Sequence, residues 1–91
     1  PTITTLATSS TVPTALALDA DFVYFIDGAE RSDPCTESMS IRRVSKNGGQ
    51  VTPIVSSAAG CPKFVSVDDT FLYWAEWDDS GEGGSIFKVA K

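Results

Sequence analysis

The chain contains the same pattern twice. Residues 13–27 (PTALALDADFVYFID) align without gaps on residues 62–76 (PKFVSVDDTFLYWAE) at an offset of 49 positions, and 4 of the 15 positions are identical. Residues 40–46 (SIRRVSK) align on residues 85–91 (SIFKVAK) at an offset of 45, with 4 of 7 identical. A period of about 40 to 50 residues made of short strands is typical of a fold built from repeated small sheets.

Both copies contain short runs rich in Val, Ile, Phe, Tyr and Thr, bounded by Gly, Pro, Asp, Asn or Ser, which is typical of strands. Asp19 and Asp68 begin the turns between the first and second strands, and Asn47-Gly48 is typical of a tight hairpin turn. Each copy is therefore predicted to be an antiparallel meander. The predicted strands cover residues 15–19, 22–27, 40–46, 51–57, 64–68, 71–76 and 85–91.

This pattern predicts an all-β chain that belongs to a β-propeller with four-stranded antiparallel blades, two blades per chain. Residues 13–61 are predicted to form a complete blade, and residues 62–91 three strands of a second blade. Residues 1–12 include ITTLATSS, which resembles VTPIVSS in the fourth strand. They are predicted to be the outer strand that completes a blade of a neighbouring or preceding unit.

Two blades leave their outer faces uncovered, and a propeller usually has about four to eight blades. We therefore expect the chain to assemble with itself, most simply as a homotrimeric ring of six blades joined head to tail. A ring of two or four copies is an alternative. Another is that the chain is a piece of a longer propeller.

The second copy also resembles a known family. Residues 72–77 (LYWAEW), preceded by VSVD, resemble the YWTD repeat of six-bladed propellers in low-density lipoprotein receptors and in secreted bacterial proteins. The second copy has Ala75-Glu76 where the family favours Thr-Asp, and the first copy reads YFID at residues 24–27. The resemblance implies a six-bladed propeller, and other families with four-stranded blades, such as the NHL type, fit the same pattern.

The composition limits which partners the chain can bind and in which cellular compartment it is expected. A net charge of −5 without a basic stripe argues against nucleic acid as a partner. No apolar run approaches the length of a membrane span, so membrane insertion is not expected. Cys35 and Cys61 fall in loops on one predicted face and are a candidate disulfide, which favours an extracellular or periplasmic protein. The alternative is two unpaired thiols.

Acidic residues concentrate at the ends of the second strands and in the loops that follow. These loops share one face of a propeller, so an assembled ring would carry an acidic rim. Trp77 lies at the mouth of such a loop, where an indole ring can stack on a sugar or anchor a protein. The candidate ligand-binding residues are Asp27, Glu30, Glu76, Trp77, Asp78, Asp79 and Glu82.

Simpler interpretations of these residues stay open. The acids can serve solubility alone, and Trp77 can pack under its own loop. Residues 78–82 (DDSGE) offer oxygen ligands of the kind calcium prefers, but without the spacing of an EF-hand. Two cysteines without any histidine do not complete a zinc site, so no metal is predicted.

The predicted function is a non-catalytic binding module that assembles into a ring, needs no cofactor and binds a glycan or a protein through its loop face. One alternative is a structural propeller fragment, natural or engineered, whose only activity is self-assembly. Another is a glycosidase-like hydrolase, which would require Asp78 and Glu82 on opposite sides of a pocket. The chain has no histidine, no Gly-rich phosphate loop and no nucleophile with an evident activating partner.

Overall fold

The computed structural model describes residues 2–9, 12–29, 39–56, 61–77 and 83–91, and these residues form two antiparallel sheets and no helix. The prediction of an all-β chain is confirmed. The first sheet has the order β1-β2-β3-β4, with strands Val12–Leu18, Phe22–Ala29, Ser40–Ser45 and Thr52–Val55. The second sheet has the order β5-β6-β7, with strands Cys61–Val67, Phe71–Trp77 and Gly84–Ala90.

The turn before β2 is held by the carboxylate of Asp19. Its Oδ1 accepts hydrogen bonds from the backbone N–H groups of Asp21 at 2.9 Å and Phe22 at 2.8 Å. Asp68 does the same before β6, where its Oδ1 accepts from Thr70 at 2.9 Å and Phe71 at 2.7 Å. A short acidic side chain thus takes the place of a backbone acceptor in both turns.

The connection between β3 and β4 uses two glycines. Gly48 and Gly49 have φ angles of +86° and +117°, a region that side-chain-bearing residues rarely adopt. The backbone N–H of Gly48 donates to the carbonyl of Ser45 at 2.8 Å. The left-handed positions of this turn are therefore Gly48 and Gly49, one residue later than Asn47-Gly48.

Each sheet has two distinct faces, because residues paired across antiparallel strands lie on the same side of a sheet. We call one of them the tyrosine face: it carries Tyr24, Ile26 and Ile41 in the first sheet, and Tyr73, Ala75 and Ile86 in the second. We call the other the valine face. It carries Val23, Phe25 and Val44 in the first sheet, and Leu72, Trp74 and Val89 in the second.

The core forms where the tyrosine face of the first sheet meets the valine face of the second, with β5 packed against β1 and β2. Tyr24, Ile26, Ile41 and Leu72 are each 0 % exposed there. Val65, Val67, Trp74 and Val89 pack around this cluster from the second sheet. Because a tyrosine face meets a valine face, the tyrosine faces of the two sheets point the same way along the stack.

The N-terminal residues lie over the valine face of the first sheet. Residues 2–9 form no strand, and residues 5–9 line a cleft of about 350 Å³ together with Val23, Phe25 and Val44. Phe25 and Val44 are 6 % and 3 % exposed. The predicted pairing of this segment with a neighbouring unit needs a second chain, so it stays a prediction.

Candidate functional site

Asp27 ends the valine face of the first sheet and is buried, with 4 % of its surface exposed. Its Oδ1 and Oδ2 accept hydrogen bonds from the Ser9 hydroxyl at 2.8 and 2.9 Å, and the backbone N–H of Gly28 donates to Oδ1 at 2.9 Å. The Arg42 Nη1 lies 3.9 Å from Oδ2. These contacts give Asp27 a structural role, since it anchors the N-terminal segment.

Glu76 is the equivalent residue in the second sheet and is 8 % exposed. Its Oε2 accepts a hydrogen bond of 2.6 Å from the indole N–H of Trp74, which also stacks on Phe87 at 5.4 Å between ring centroids. The carboxylate therefore satisfies a partly buried indole donor.

Trp77 has a different environment from the two acids. It is 51 % exposed, and the ammonium of Lys63 lies 4.9 Å from its ring centroid. A half-exposed indole with a cation on one side is suited to stacking against a flat ligand or an apolar partner group.

Several predicted site residues lie outside the described residues. These are Glu30, Asp78, Asp79, Glu82 and Cys35, and the side chain of Cys61. The acidic rim and the disulfide therefore stay predictions. Among the residues that the structure does describe, no three Asp, Glu, Cys or His side chains come together to hold a metal ion.

In both sheets a tyrosine is locked to the aspartate of the preceding turn. The Tyr24 hydroxyl donates to Asp19 Oδ2 at 2.8 Å, and the Tyr73 hydroxyl donates to Asp68 Oδ2 at 2.7 Å. The pKa of Asp68 falls to about 2, because the Phe71 amide, the Tyr73 hydroxyl and the Thr70 amide all stabilise its carboxylate. Burial, followed by the bond to Asp19, raises the pKa of Tyr24.

A cation covers the first aromatic ring of each of these motifs. The Arg43 guanidinium carbon lies 4.2 Å from the Phe22 centroid, and the Lys88 ammonium lies 4.2 Å from the Phe71 centroid. Both cations lie on the tyrosine face of their sheet.

An ion pair links the two sheets. The Lys91 Nζ lies 2.8 Å from Asp19 Oδ2, and the two side chains are 15 % and 19 % exposed. The Lys91 ammonium is the largest cause of the lowered pKa of Asp19, and the carboxylate in turn raises the pKa of Lys91. The second sheet is thereby fixed to the first turn of the chain.

The faces that the two sheets do not bury against each other are apolar. On the tyrosine face of the second sheet, Phe64 and Ile86 are 66 % and 80 % exposed, beside a shallow cleft of about 190 Å³. On the valine face of the first sheet, Leu16 and Leu18 are 67 % and 58 % exposed. The tyrosine face of the second sheet is thus open, whereas the valine face of the first sheet is exposed only along β1, because residues 5–9 cover Phe25 and Val44.

From the sequence, Asp19 and Asp68 are expected only in turns, and Lys46 and Lys91 are expected to cover blade edges and form salt bridges with neighbouring carboxylates, without a named partner. The sequence does single these residues out, because the aspartates, the lysines and the tyrosines are each identical between the two copies. The matching positions are Asp19 and Asp68, Lys46 and Lys91, and Tyr24 and Tyr73. The structure shows the shared contact for the tyrosine and aspartate pairs in both sheets, and the lysine contact for Lys91.

The described part of the chain contains no helix that is long and apolar enough to cross a membrane. In comparisons with models of protein families, with curated proteins and with solved structures, nothing matches this chain.

Proposed function

We propose that the chain is a two-blade propeller segment of the YWTD-like kind that assembles head to tail with further copies of itself. The observation that carries the proposal is the difference between Ile41 and Ile86, which hold equivalent positions in the two copies. Ile41 is 0 % exposed beneath the second sheet, whereas Ile86 is 80 % exposed on the open tyrosine face. A large apolar surface left open in this way is typical of an interaction surface.

The occupant of that face is a second copy, because the complementary face belongs to this same chain. The contact inside the chain joins a tyrosine face to a valine face. The second sheet leaves its tyrosine face open, and the complementary valine face of the first sheet has Leu16 and Leu18 exposed beside the part that residues 5–9 cover. Joining these two repeats the internal contact between chains and creates a head-to-tail interface.

Such contacts form a closed ring when the rotation from one chain to the next divides a full circle. Three copies would supply six blades, within the usual range of about four to eight for propellers. Closure would also cover the open faces on every chain, which an unclosed stack leaves exposed at its two ends.

The N-terminal segment has a double role in this proposal. Residues 5–9 lie on the valine face that the next copy needs, so the segment must leave it during assembly. β7 is at the edge of the three-stranded second sheet and is mostly exposed. The displaced segment would pair with β7 of that neighbour as its fourth strand, which is a form of β-strand addition.

We further propose that the assembled ring is a non-catalytic binding module for a glycan or a protein, exported to an extracellular or periplasmic compartment. Trp77 favours this second role: it is 51 % exposed with Lys63 at 4.9 Å, and as the last residue of β6 it would lie at the rim of the contact between copies, where it stays accessible in the ring. Asp27 and Glu76 would act by supporting the strand ends, since both are buried and hydrogen bonded. A glycan array probed with wild type and Trp77→Ala tests this role, and equal binding by both proteins would count against it.

The solution mass of the purified chain tests assembly. We expect a light-scattering mass of three chains for the wild type, with and without reductant. Ile86→Glu should lower the mass to one chain, because it places a charge at the centre of the interface. Gln50→Glu is the matched control, since it adds the same charge at an exposed position between β3 and β4 and should leave the mass unchanged. A folded wild type with the mass of one chain at all concentrations would refute assembly.

A further inference from the structure

We propose that Lys46 of one copy forms an ion pair with Asp68 of the next copy, so that the junction between chains repeats the Asp19–Lys91 contact found inside the chain. The inference rests on the proposed self-assembly and names the polar contact that directs it. It concerns residues that lie beside the open apolar faces, not within them.

The internal pair supplies the geometry. Lys91 follows β7 of the second sheet and reaches the turn before β2 in the first sheet, where its Nζ lies 2.8 Å from Asp19 Oδ2. At this contact, the sheet that presents its tyrosine face supplies the aspartate. The sheet that presents its valine face supplies the lysine.

Both residues have an equivalent in the other copy. Lys46 corresponds to Lys91, and each starts from the same local anchor: the backbone N–H of Lys46 donates to the Asp21 carbonyl at 2.9 Å, and that of Lys91 donates to the Thr70 carbonyl at 3.1 Å. The two lysines therefore leave their sheets from matching positions.

Asp68 corresponds to Asp19 in the same detail. Each carboxylate uses Oδ1 for two backbone amides of its turn and Oδ2 for the tyrosine hydroxyl, at distances between 2.7 and 2.9 Å. In the part of the chain that the structure describes, the remaining difference is a lysine, which donates to Asp19 and not to Asp68.

Asp68 and Lys46, the equivalents of the two residues in the Asp19–Lys91 ion pair, do not pair with each other within the described part of one chain. Among the described residues, no carboxylate pairs with the exposed Lys46 and no lysine donates to Asp68. Asp68 lies in the turn between β5 and β6 of the second sheet, next to Phe71 at the end of the open tyrosine face. Lys46 follows β3 of the first sheet, next to the turn before β2 and at the end of the valine face that the next copy would contact. Stacking the next copy by the internal packing brings the opposite charges together.

The charges also explain why unlike faces would meet. Two tyrosine faces brought together would oppose two Asp68 carboxylates, and two valine faces would oppose two Lys46 ammonium groups. Like charges at an interface disfavour the wrong arrangement, whereas apolar contact alone is nearly indifferent to it. The pair therefore selects the head-to-tail direction that ring closure requires.

A double-mutant cycle tests the pair directly. Sedimentation equilibrium gives the dissociation constant of wild type, Lys46→Met, Asp68→Asn and the double variant, with circular dichroism to verify folding. Asp68→Asn keeps an oxygen acceptor for the Thr70 and Phe71 amides while removing the charge. Lys46→Arg is the conservative variant, which keeps the charge and should assemble like the wild type.

We expect Lys46→Met to weaken each junction by roughly fivefold, as for a partly buried ion pair at an interface. The same substitution should have no effect in the Asp68→Asn background. If the wild type assembles but the two substitutions act independently, the ion pair is refuted and the self-assembly stands. If the wild type stays a single chain at every concentration, both proposals fail.

Discussion

Lys91 and Asp19 are 2.8 Å apart between Nζ and Oδ2, and this contact joins the residue after β7 of the second sheet to the turn before β2 of the first sheet. Asp68 has the same turn and tyrosine contacts as Asp19, but no lysine among the described residues donates a hydrogen bond to it. The chain therefore contains two nearly identical carboxylates that differ in one cation. This difference makes the contribution of the ion pair measurable inside one molecule.

The first prediction concerns the titration of these carboxylates in the single chain. Lys91→Met should raise the pKa of Asp19 toward that of Asp68, which lies at about 2, and should change Asp68 much less. Carboxyl ¹³C chemical shifts give both pKa values when they are measured as a function of pH at protein concentrations where the chain is monomeric. An unchanged Asp19 titration would mean that the lysine does not contact it in solution.

The second prediction is the dependence of stability on pH. The folded-state pKa values of Asp19 and Asp68 are lowered, so the free energy of unfolding that they contribute is present above about pH 4 and is lost as the pH falls. For Asp68 the loss occurs between about pH 4 and about pH 2. The pKa of Lys91 is raised, so its contribution is present below its ordinary pKa of 10.5 and is lost as the pH rises through the raised value.

Urea unfolding from pH 2 to pH 11 measures this profile. Asp68→Asn should flatten the acid side, because its side chain cannot titrate, and Lys91→Met should flatten the alkaline side. The same slopes in the variants as in the wild type would show that other groups control the pH dependence.

The third prediction compares two isoleucines at equivalent positions. Ile41→Ala should lower the free energy of unfolding of the single chain by about 2 to 5 kcal/mol, because a fully buried side chain leaves a cavity. Ile86→Ala, at a position that is 80 % exposed, should change it by less than about 0.5 kcal/mol. Ile86→Ala should instead weaken assembly. Equal losses of single-chain stability would show that the open tyrosine face is covered within the chain.

The fourth prediction concerns the segment over the valine face. Ser9→Ala removes hydrogen bonds of 2.8 and 2.9 Å to Asp27 and should loosen residues 5–9. Limited proteolysis should then cut this segment faster, and the concentration needed for assembly should fall, because the segment and the next copy compete for one face. Ser56→Ala, at an exposed residue after β4, is the control. Faster proteolysis together with weaker assembly would contradict this competition.

Much of the local structure follows from short-range chemistry. The seven strands overlap the predicted apolar runs, although β1 and β5 begin three residues earlier than predicted, and Asp19 and Asp68 make the turns expected of short acidic side chains. The glycines after Asn47 adopt positive φ angles that other residues avoid. These features depend on neighbours within a few residues and can therefore be predicted from the sequence.

The environments of the candidate site residues could be predicted less well from the sequence. Asp27 and Glu76 read as solvent-facing acids at strand ends, yet both are buried and hydrogen bonded, to Ser9 and Trp74 respectively. Their partners are not set by strand periodicity: Ser9 belongs to a segment that has no strand structure. The exposure of Trp77 likewise depends on what packs beside it.

The sequence by itself determined the strands, the turns and the duplication of Asp, Tyr and Lys, because each is specified by adjacent residues or by direct comparison of the two copies. Only the tertiary structure decided which faces meet, since β2 and β6 are apolar on both sides and their sequences do not distinguish a covered face from an open one. It buries Ile41, leaves Ile86 exposed and pairs Lys91 with Asp19. Equivalent side chains differ in this way because one sheet has a neighbour on its tyrosine face and the other does not.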